Sequence, residues 1–457
     1  MPSLFIDKWK QRFKMLCYLP FSNRSLKYFP PDFTLRDPVA ALAKEQRAKG
    51  KGCYLILFHL EDFPQLFLTY PYSSIQELQQ QINHMMLDML PRFFKHQDII
   101  GIKRFGQEDI GLFVKQQPGV SYDQLQQKGQ GMCSELQARL RAGFAKQEGL
   151  LTCSAGCYMM GPDIENIEAA IQFAYRYALS IAMKKLPVHF SQSRQQLIDI
   201  IQTENIAVLA QPIMNLTSGD IFGWEILTRG PQNTPFHSPA ELFDYAYQAD
   251  VLSKMEFLVM KKAFEEMAKR SIKEQVFINV TPVTLSHPLL LRHLMKLLDA
   301  YPTVAPSQIV LEITERHAIK DFRFMGALMS KYRSIGFRFA VDDAGAGYSS
   351  LQSITELIPD IIKIDKSVIQ NIDQMTVKQS LLRSLVHFAE NINCQVIAEG
   401  VERAEEAEML YDLKVQMGQG FYFAKPEPLE ADQDRIQRCD LLKAKVKRSR
   451  QASMMPA

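Results

Sequence analysis

In the second half of the chain, short apolar runs end again and again in a carboxylate, an amide or a lysine. Phe222-Gly223-Trp224 leads into Glu225, Val276-Phe277-Ile278 into Asn279, and Ile309-Val310-Leu311 into Glu312, with Glu315 three residues on. Phe339-Ala340-Val341 leads into Asp342-Asp343, Ile361-Ile362 into Lys363, and Val396-Ile397-Ala398 into Glu399. Carboxylate and amide oxygens are hard donors. They suit Mg²⁺ or Mn²⁺ better than zinc, which favours His and Cys. Neighbouring Asp342 and Asp343 allow one carboxylate to bridge two cations while the other orients bound water. Two divalent ions about 4 Å apart stabilise both the attacking and the leaving oxygen of phosphodiester hydrolysis. A lysine at such a centre holds a cation-bound water or a developing phosphoryl charge. Gln419 adds an amide to the same rim. One acid after a strand is usually a cap or a surface charge. A series of them in one domain is a different matter, because crowded carboxylates repel and need cations to coexist.

Convergence of these groups requires a particular fold. The runs are rich in Val and Ile, as strands buried on both faces are. In a barrel of parallel strands, the residues at the C-terminal strand ends meet at one mouth. Strands and helices alternate over residues 191–436 at the spacing of such a barrel. The expected class is α/β, with a C-terminal TIM-like βα barrel preceded by an α+β domain over residues 37–190. In that first domain strands are expected at Cys53–Leu60, Asp98–Phe105, Ile110–Val114 and Leu150–Tyr158. Helices are expected at Val39–Lys49, Ser74–Phe93, Tyr122–Ala145 and Ile164–Lys184, packed on one face of an antiparallel sheet.

Length and composition set outer bounds. The 457 residues suffice for two or three domains, and the formal net charge of +3 implies little by itself. Residues 1–36 form a basic amphipathic leader, with Lys8, Lys10, Arg12 and Lys14 set among Leu4, Phe5, Ile6, Trp9 and Phe13. It reads either as a solvated end or as a peripheral contact with an anionic membrane surface. It is too short and charged to span a bilayer. Residues 437–457 read as a basic tail. Seven scattered cysteines without metal-ligand spacing argue against a disulfide framework and fit a reducing cytoplasm. No direct DNA binding is expected.

The strand-end motifs resemble a known family. Gln211-Pro212-Ile213, then Gly223-Trp224-Glu225-Ile226-Leu227-Thr228-Arg229, is similar to the signature of EAL-domain cyclic-di-GMP phosphodiesterases. Phe277-Ile278-Asn279-Val280-Thr281, Leu311-Glu312-Ile313-Thr314-Glu315 and Asp342-Asp343-Ala344-Gly345-Ala346-Gly347-Tyr348-Ser349-Ser350 continue it in order. Ile362-Lys363-Ile364-Asp365, Ala398-Glu399-Gly400-Val401-Glu402 and Gly418-Gln419-Gly420 complete it. The resemblance covers about 240 residues. It implies a barrel that linearises cyclic di-GMP to 5′-pGpG with two Mg²⁺ or Mn²⁺ ions, in a homodimer formed through the same domain. It implies Glu225, Asn279, Glu312, Asp342, Asp343 and Glu399 as metal ligands, Lys363 as the group positioning the attacking water, and Gln211, Arg229 and Gln419 as substrate contacts. Glu315 would brace the loop after Asp343. Two departures stand out: Ile226 replaces the Ala of the signature, and Ala344 stands where the family carries Phe in a loop linking the metal site to dimerisation. The alternatives are a non-catalytic cyclic-di-GMP receptor and a scaffold that has lost the nucleotide. The intact acids, Asn279 and Lys363 favour the enzyme.

The first domain resembles the GGDEF domain of diguanylate cyclases, more faintly. Arg104-Phe105-Gly106-Gln107-Glu108-Asp109-Ile110 is similar to its turn, and Leu57-Phe58-His59-Leu60-Glu61-Asp62-Phe63 to its metal-binding strand. Gln107 replaces the second glycine, His59 the metal-binding aspartate, and Pro64 a usual lysine. A cyclase needs two metals neutralising a triphosphate, so this domain is expected to be degenerate and inactive in synthesis. It reads as a packing and dimerisation module or, more sharply, as a regulatory domain that still binds GTP or another nucleotide. His59 is expected to be a satisfied core histidine rather than a ligand.

Overall fold

A computed structural model describes residues 37–429 apart from 62, 118, 144–151, 162, 315–318 and 345–347. Glu315, the glycines of the Asp-Asp loop, the leader 1–36 and the tail 437–457 lie outside the described residues. The chain divides into two compact units after Gln192. Among the described residues no helix is long and apolar enough to cross a membrane.

The first unit is built on a four-stranded antiparallel sheet of β1 (Cys53–Leu60), β2 (Ile99–Arg104), β3 (Asp109–Lys115) and β4 (Cys153–Met160), in the order β2-β3-β1-β4. Helices enter after β1 and after β3, which gives the split βαβ topology. Tyr54, Ile56, Phe58 and Leu60 point into a core with Ile75, Leu78 and Ile82 of the helix Tyr72–Phe93 and Leu125, Met132 and Leu136 of the helix Tyr122–Gly143. The other face is covered as well, which corrects the expectation of helices on one face only. Gly156, paired with Leu57, lies so close to the helix Ile167–Ala182 that a Cβ there would meet the Ala178 carbonyl oxygen at 1.9 Å. The reason is in β1 itself: Leu55 and Leu57 are as fully buried as Ile56 and Phe58, so both faces need cover. A short helix, Phe63–Thr69, also follows β1 where none was anticipated.

The second unit is a closed eight-stranded barrel. It comprises β5 (Ala207–Asn215), β6 (Ile221–Arg229), β7 (Gln275–Val280), β8 (Ile309–Ile313), β9 (Arg338–Ala344), β10 (Ile361–Ile364), β11 (Gln395–Ala398) and β12 (Met417–Gly418). From β6 to β12 neighbouring strands run parallel. β5 is antiparallel to both β6 and β12, a departure from the all-parallel barrel that the strand spacing suggested. It pairs with β6 as a hairpin, joined by the tight turn in which Asn215 accepts from Thr217 and Ser218. Trp224 and Ile226 point outward into the core against Met260 and Phe264, so Glu225 between them points inward. The barrel is floored by Ile213, Phe277, Val310, Ala340, Ile361, Ile397 and Met417, which pack on one another inside it.

Candidate active site

The floor explains the site above it. Side chains alternate along a strand, so residues two apart share a face. Two residues beyond Phe277 stands Asn279; beyond Val310, Glu312; beyond Ala340, Asp342; beyond Ile361, Lys363; beyond Ile397, Glu399; beyond Met417, Gln419. On the reversed β5 the step runs backward, from Ile213 to Gln211, which is paired with Glu225 on β6. An apolar layer therefore seals the barrel, and the next layer, at the C-terminal strand ends, is polar throughout.

Lys363 is the centre of that layer. It is 1% exposed, and its Nζ lies 2.5 Å from Glu312 Oε1, 2.6 Å from Glu399 Oε1, 3.4 Å from Asp342 Oδ1 and 3.6 Å from Glu225 Oε2. Burial works against its charge, but the four carboxylates outweigh burial and hold its pKa well above the ordinary lysine value. One ammonium does not balance four carboxylates. Burial, with the neighbouring acids, drives Glu312 well above the ordinary carboxyl range and Glu399 up to about 8, against the pull of Lys363. Asp343 is pushed up to about 6 by burial and then by Asp342 and Asp365. The mouth is short of positive charge.

Amides complete the layer. Asn279 Nδ2 donates to Glu225 Oε1 at 3.4 Å, and Gln419 Nε2 donates to Glu225 Oε2 and, at 3.0 Å, to Gln211 Oε1. Backbone hydrogen bonds lock the strand ends together: Glu399 N donates to the Ile364 carbonyl and Gln419 N to the Ala398 carbonyl. Asp343 adopts φ +54°, a conformation that turns the chain sharply beyond Asp342. Gly400 has φ +66°, and a Cβ there would come within 2.3 Å of Lys366 Cβ, so only glycine permits the turn after Glu399.

Glu225, Asn279, Glu312, Asp342, Lys363, Glu399, Gln211 and Gln419 thus come together. Arg229 is four residues past Glu225 on the same face of β6, and the guanidinium donates to the Thr228 carbonyl at 2.8 Å. Among the described contacts it is not joined to the acids. Two buried acids outside the strand-end pattern also support the mouth. Glu256, on the helix Leu252–Lys269, accepts from the Thr281 amide and hydroxyl just beyond Asn279. Glu406 accepts from the amides of Asn371, Glu402 and Arg403, beyond Lys363 and Glu399. The signal for Glu256 is visible in hindsight: an acid between Met255 and the apolar run Phe257–Met260.

The donors fit a hard divalent cation. Glu312, Asp342 and Glu399 each offer an oxygen, all within 4.8 Å of one another. Glu312 Oε2 is buried with no hydrogen bond, and Asp342 Oδ1 is buried with only the 3.4 Å ion pair to Lys363. Orphaned buried anionic oxygens are costly unless a cation takes them.

In the first unit, His59 Nδ1 lies 2.7 Å from Asp109 Oδ1, and the Tyr175 hydroxyl donates to Asp109 Oδ2 at 2.6 Å. His59 is held by a buried carboxylate, and that hydrogen bond raises its pKa. Gln107 is exposed at the turn and bonds to Gln79.

The EAL-domain family profile matches residues 193–426. A probable cyclic di-GMP phosphodiesterase of Escherichia coli K12, PdeB, is 31% identical over 51% of this chain and 45% of its own length. The cyclic di-GMP phosphodiesterase PdeF of the same organism is 26% identical over 50% of this chain and 31% of its own. The chain therefore spans less than half the length of these curated relatives. A solved structure of the EAL enzyme Bd1971 with cAMP and cyclic di-GMP bound has a TM-score of 0.50 at 19% identity, over 86% of this chain and 95% of that one, a likeness of fold.

Proposed function

The chain belongs to the EAL-domain family, and from that premise we propose that it is a cyclic-di-GMP phosphodiesterase, opening the cyclic dinucleotide by hydrolysis to linear 5′-pGpG. The observation that carries this reading is the buried mouth where four carboxylates surround one lysine and remain short of positive charge. The relatives named cyclic di-GMP phosphodiesterases support the substrate.

Glu225, Asn279, Glu312, Asp342, Asp343 and Glu399 would hold two Mg²⁺ or Mn²⁺ ions. When bound, these supply Lewis acids for the phosphoryl oxygens and acidify a water. The protein's own contribution is positioning. Lys363 stays charged because the acids fix its proton, so its ammonium can orient the attacking water and offset charge on the phosphoryl group. Gln211 and Gln419 form an amide pair at the edge of the acids, suited to polar edges of the substrate. Arg229, further along the face of Glu225, is placed for a phosphate oxygen, since a guanidinium forks onto phosphate. Glu315 would brace the loop after Asp343. The first unit, with His59 tied to Asp109, serves as an inactive GGDEF-like regulatory domain, and the barrel as the dimerising one.

Purified protein with Mg²⁺ or Mn²⁺ should convert cyclic di-GMP to a single linear dinucleotide, followed by chromatography. Glu225→Ala should abolish turnover. Tight binding with no turnover in either metal would instead identify a receptor.

A further inference from the structure

The first unit holds two thiols against each other. All five described cysteines are buried and unbridged. Cys53 Sγ donates to Met160 Sδ at 3.7 Å, and Cys394 Sγ to the Pro359 carbonyl at 2.6 Å. Cys133 and Cys153 meet instead, Sγ to Sγ, at 2.9 Å. They stand 20 positions apart in the chain, Cys133 on the helix Tyr122–Gly143 and Cys153 at the start of β4. Among the described residues no other pair of sulfurs from two cysteines is joined in this way.

The way the helix crosses the sheet builds this meeting in. Gln126, Gly129 and Cys133 recur at the spacing of one helix face. Gln126 Nε2 donates to the Ala155 carbonyl at 3.0 Å, and Gln126 Oε1 accepts from the Cys157 amide at 2.9 Å. Gly129 lies so near the sheet that a Cβ there would stand 3.5 Å from Ala155 Cβ and 2.9 Å from Ile56 Cγ2. The helix therefore descends β4 in the opposite direction, from Cys157 through Ala155 to Cys153. β4 is an edge strand, and Cys153 is its first residue. Cys153 is 9% exposed and Cys133 4%, so Cys153 is the sulfur nearer solvent. Its partner keeps its proton: the hydrogen bond with Cys153, and then burial, raise the Cys133 pKa.

We propose that Cys133 and Cys153 form a modification site, a dithiol that a hydroperoxide converts to a reversible disulfide stapling the helix Tyr122–Gly143 to β4. Cys153 Sγ attacks a peroxide oxygen. The O–O bond breaks, an S–O bond forms, and water or an alcohol leaves with the thiol proton. Cys133 Sγ then attacks the sulfenic sulfur. The S–S bond forms as the S–O bond breaks, and the departing hydroxide takes the Cys133 proton as water. The two sulfurs together lose two electrons, and the peroxide gains two. A dithiol reductant reverses the step by thiol–disulfide exchange. The sulfurs need close by only roughly 0.9 Å from 2.9 Å to reach the usual bond of about 2.05 Å, so neither element has to travel. The bond ties together two elements far apart in sequence, and it restricts the unfolded chain between them.

The test is peptide mapping by mass spectrometry of the full chain, held native with hydrogen peroxide and then alkylated in denaturant. One cross-link should form, joining the peptides of Cys133 and Cys153, and dithiothreitol should remove it. The melting transition of the first unit should rise by about 5–10 °C on oxidation, as for a disulfide closing a loop of this length, and fall back on reduction. The reversible part of the shift is the measure, because dithiothreitol leaves methionine sulfoxide in place. Cys133→Ala and Cys153→Ala should each abolish both the cross-link and the reversible rise, and Cys53→Ala should keep both. Cys153 carried on to sulfinic acid without a cross-link overturns the pairing. So does a bond to any other cysteine, or one that forms only after the protein is unfolded. A Cys133–Cys153 cross-link with no reversible rise overturns the staple. If the alanine variants fail to fold, mapping of the parent still decides the pairing.

Discussion

At the scale of single residues, the site turns on how Lys363 and its acids share protons. The lysine is charged because four carboxylates face it, and Glu312 and Glu399 are hard to ionise because burial and their acidic neighbours outweigh the one cation. On the phosphodiesterase reading, Lys363→Met removes the group proposed to orient water and offset phosphoryl charge, and kcat should fall by about 10²–10³-fold with Mg²⁺ or Mn²⁺ present. It also breaks a buried ion-pair network, which costs about 3–5 kcal/mol when the partners stay charged. The variant should therefore melt below the parent in EDTA, followed by circular dichroism. If its melting temperature in EDTA equals the parent's, the acids have taken up protons instead. His59 gives a second residue-scale prediction, with the opposite pH sense to that of a paired carboxylate. The hydrogen bond to Asp109, aided by Glu61 and Glu108, raises the His59 pKa above its ordinary value of about 6.5. The folded state thus binds this proton more tightly than the unfolded state. The resulting stability is fully present below the unfolded pKa and is lost as pH rises through the folded one. Melting temperature of the first unit should decline as pH is raised through and above about 6.5. His59→Asn should flatten that decline.

At the scale of elements, the mouth was legible because a strand's alternation is so regular. Once Val310 and Ile361 are buried in the floor, Glu312 and Lys363 two residues on must rise above it on the same face. The signal of short apolar runs ending in a polar group carries that geometry directly. What was not legible is as informative. Strand direction leaves no mark in an apolar run, so the reversal of β5 emerged only from its pairing with β6 and β12. The double cover of the first sheet was present in β1, where Leu55 and Leu57 alternate with Ile56 and Phe58 without a polar break. The floor argument has a direct consequence. Phe277 is fully buried at its centre, and its ring also fills the space left by Gly223, whose Cβ would meet it at 3.0 Å. Phe277→Ala should cost about 3–5 kcal/mol, the penalty for an aromatic cavity. Because Asn279 stands on the same strand, the variant should also lose metal affinity, measured by titration with Mn²⁺. Lost stability with metal affinity intact would show that the polar layer does not depend on the floor.

At the scale of the whole molecule, the two units carry separate cores. One core of the first lies among residues between Tyr54 and Met159, with a second layer on the helix Ile167–Ala182, and those of the second lie among residues between Ile206 and Leu429. Each unit has its own core, so scanning calorimetry should resolve two transitions. The poorly satisfied acidic oxygens, Glu312 Oε2 and Asp342 Oδ1, lie in the second unit. A ligand that binds the folded form alone stabilises it by about 2.7 kcal/mol at a hundred times its dissociation constant. Added Mn²⁺ should therefore raise one transition and leave the other in place, and Glu312→Gln should weaken that rise. The pH series provides an independent assignment, because the transition that follows His59 must be the one that manganese does not move. If manganese raised both transitions equally, either the first unit would bind metal too, against the reading of His59 as a satisfied histidine, or unfolding of the second unit would trigger that of the first. His59→Asn separates these outcomes: it should abolish the manganese shift of the first transition only if that histidine is a ligand.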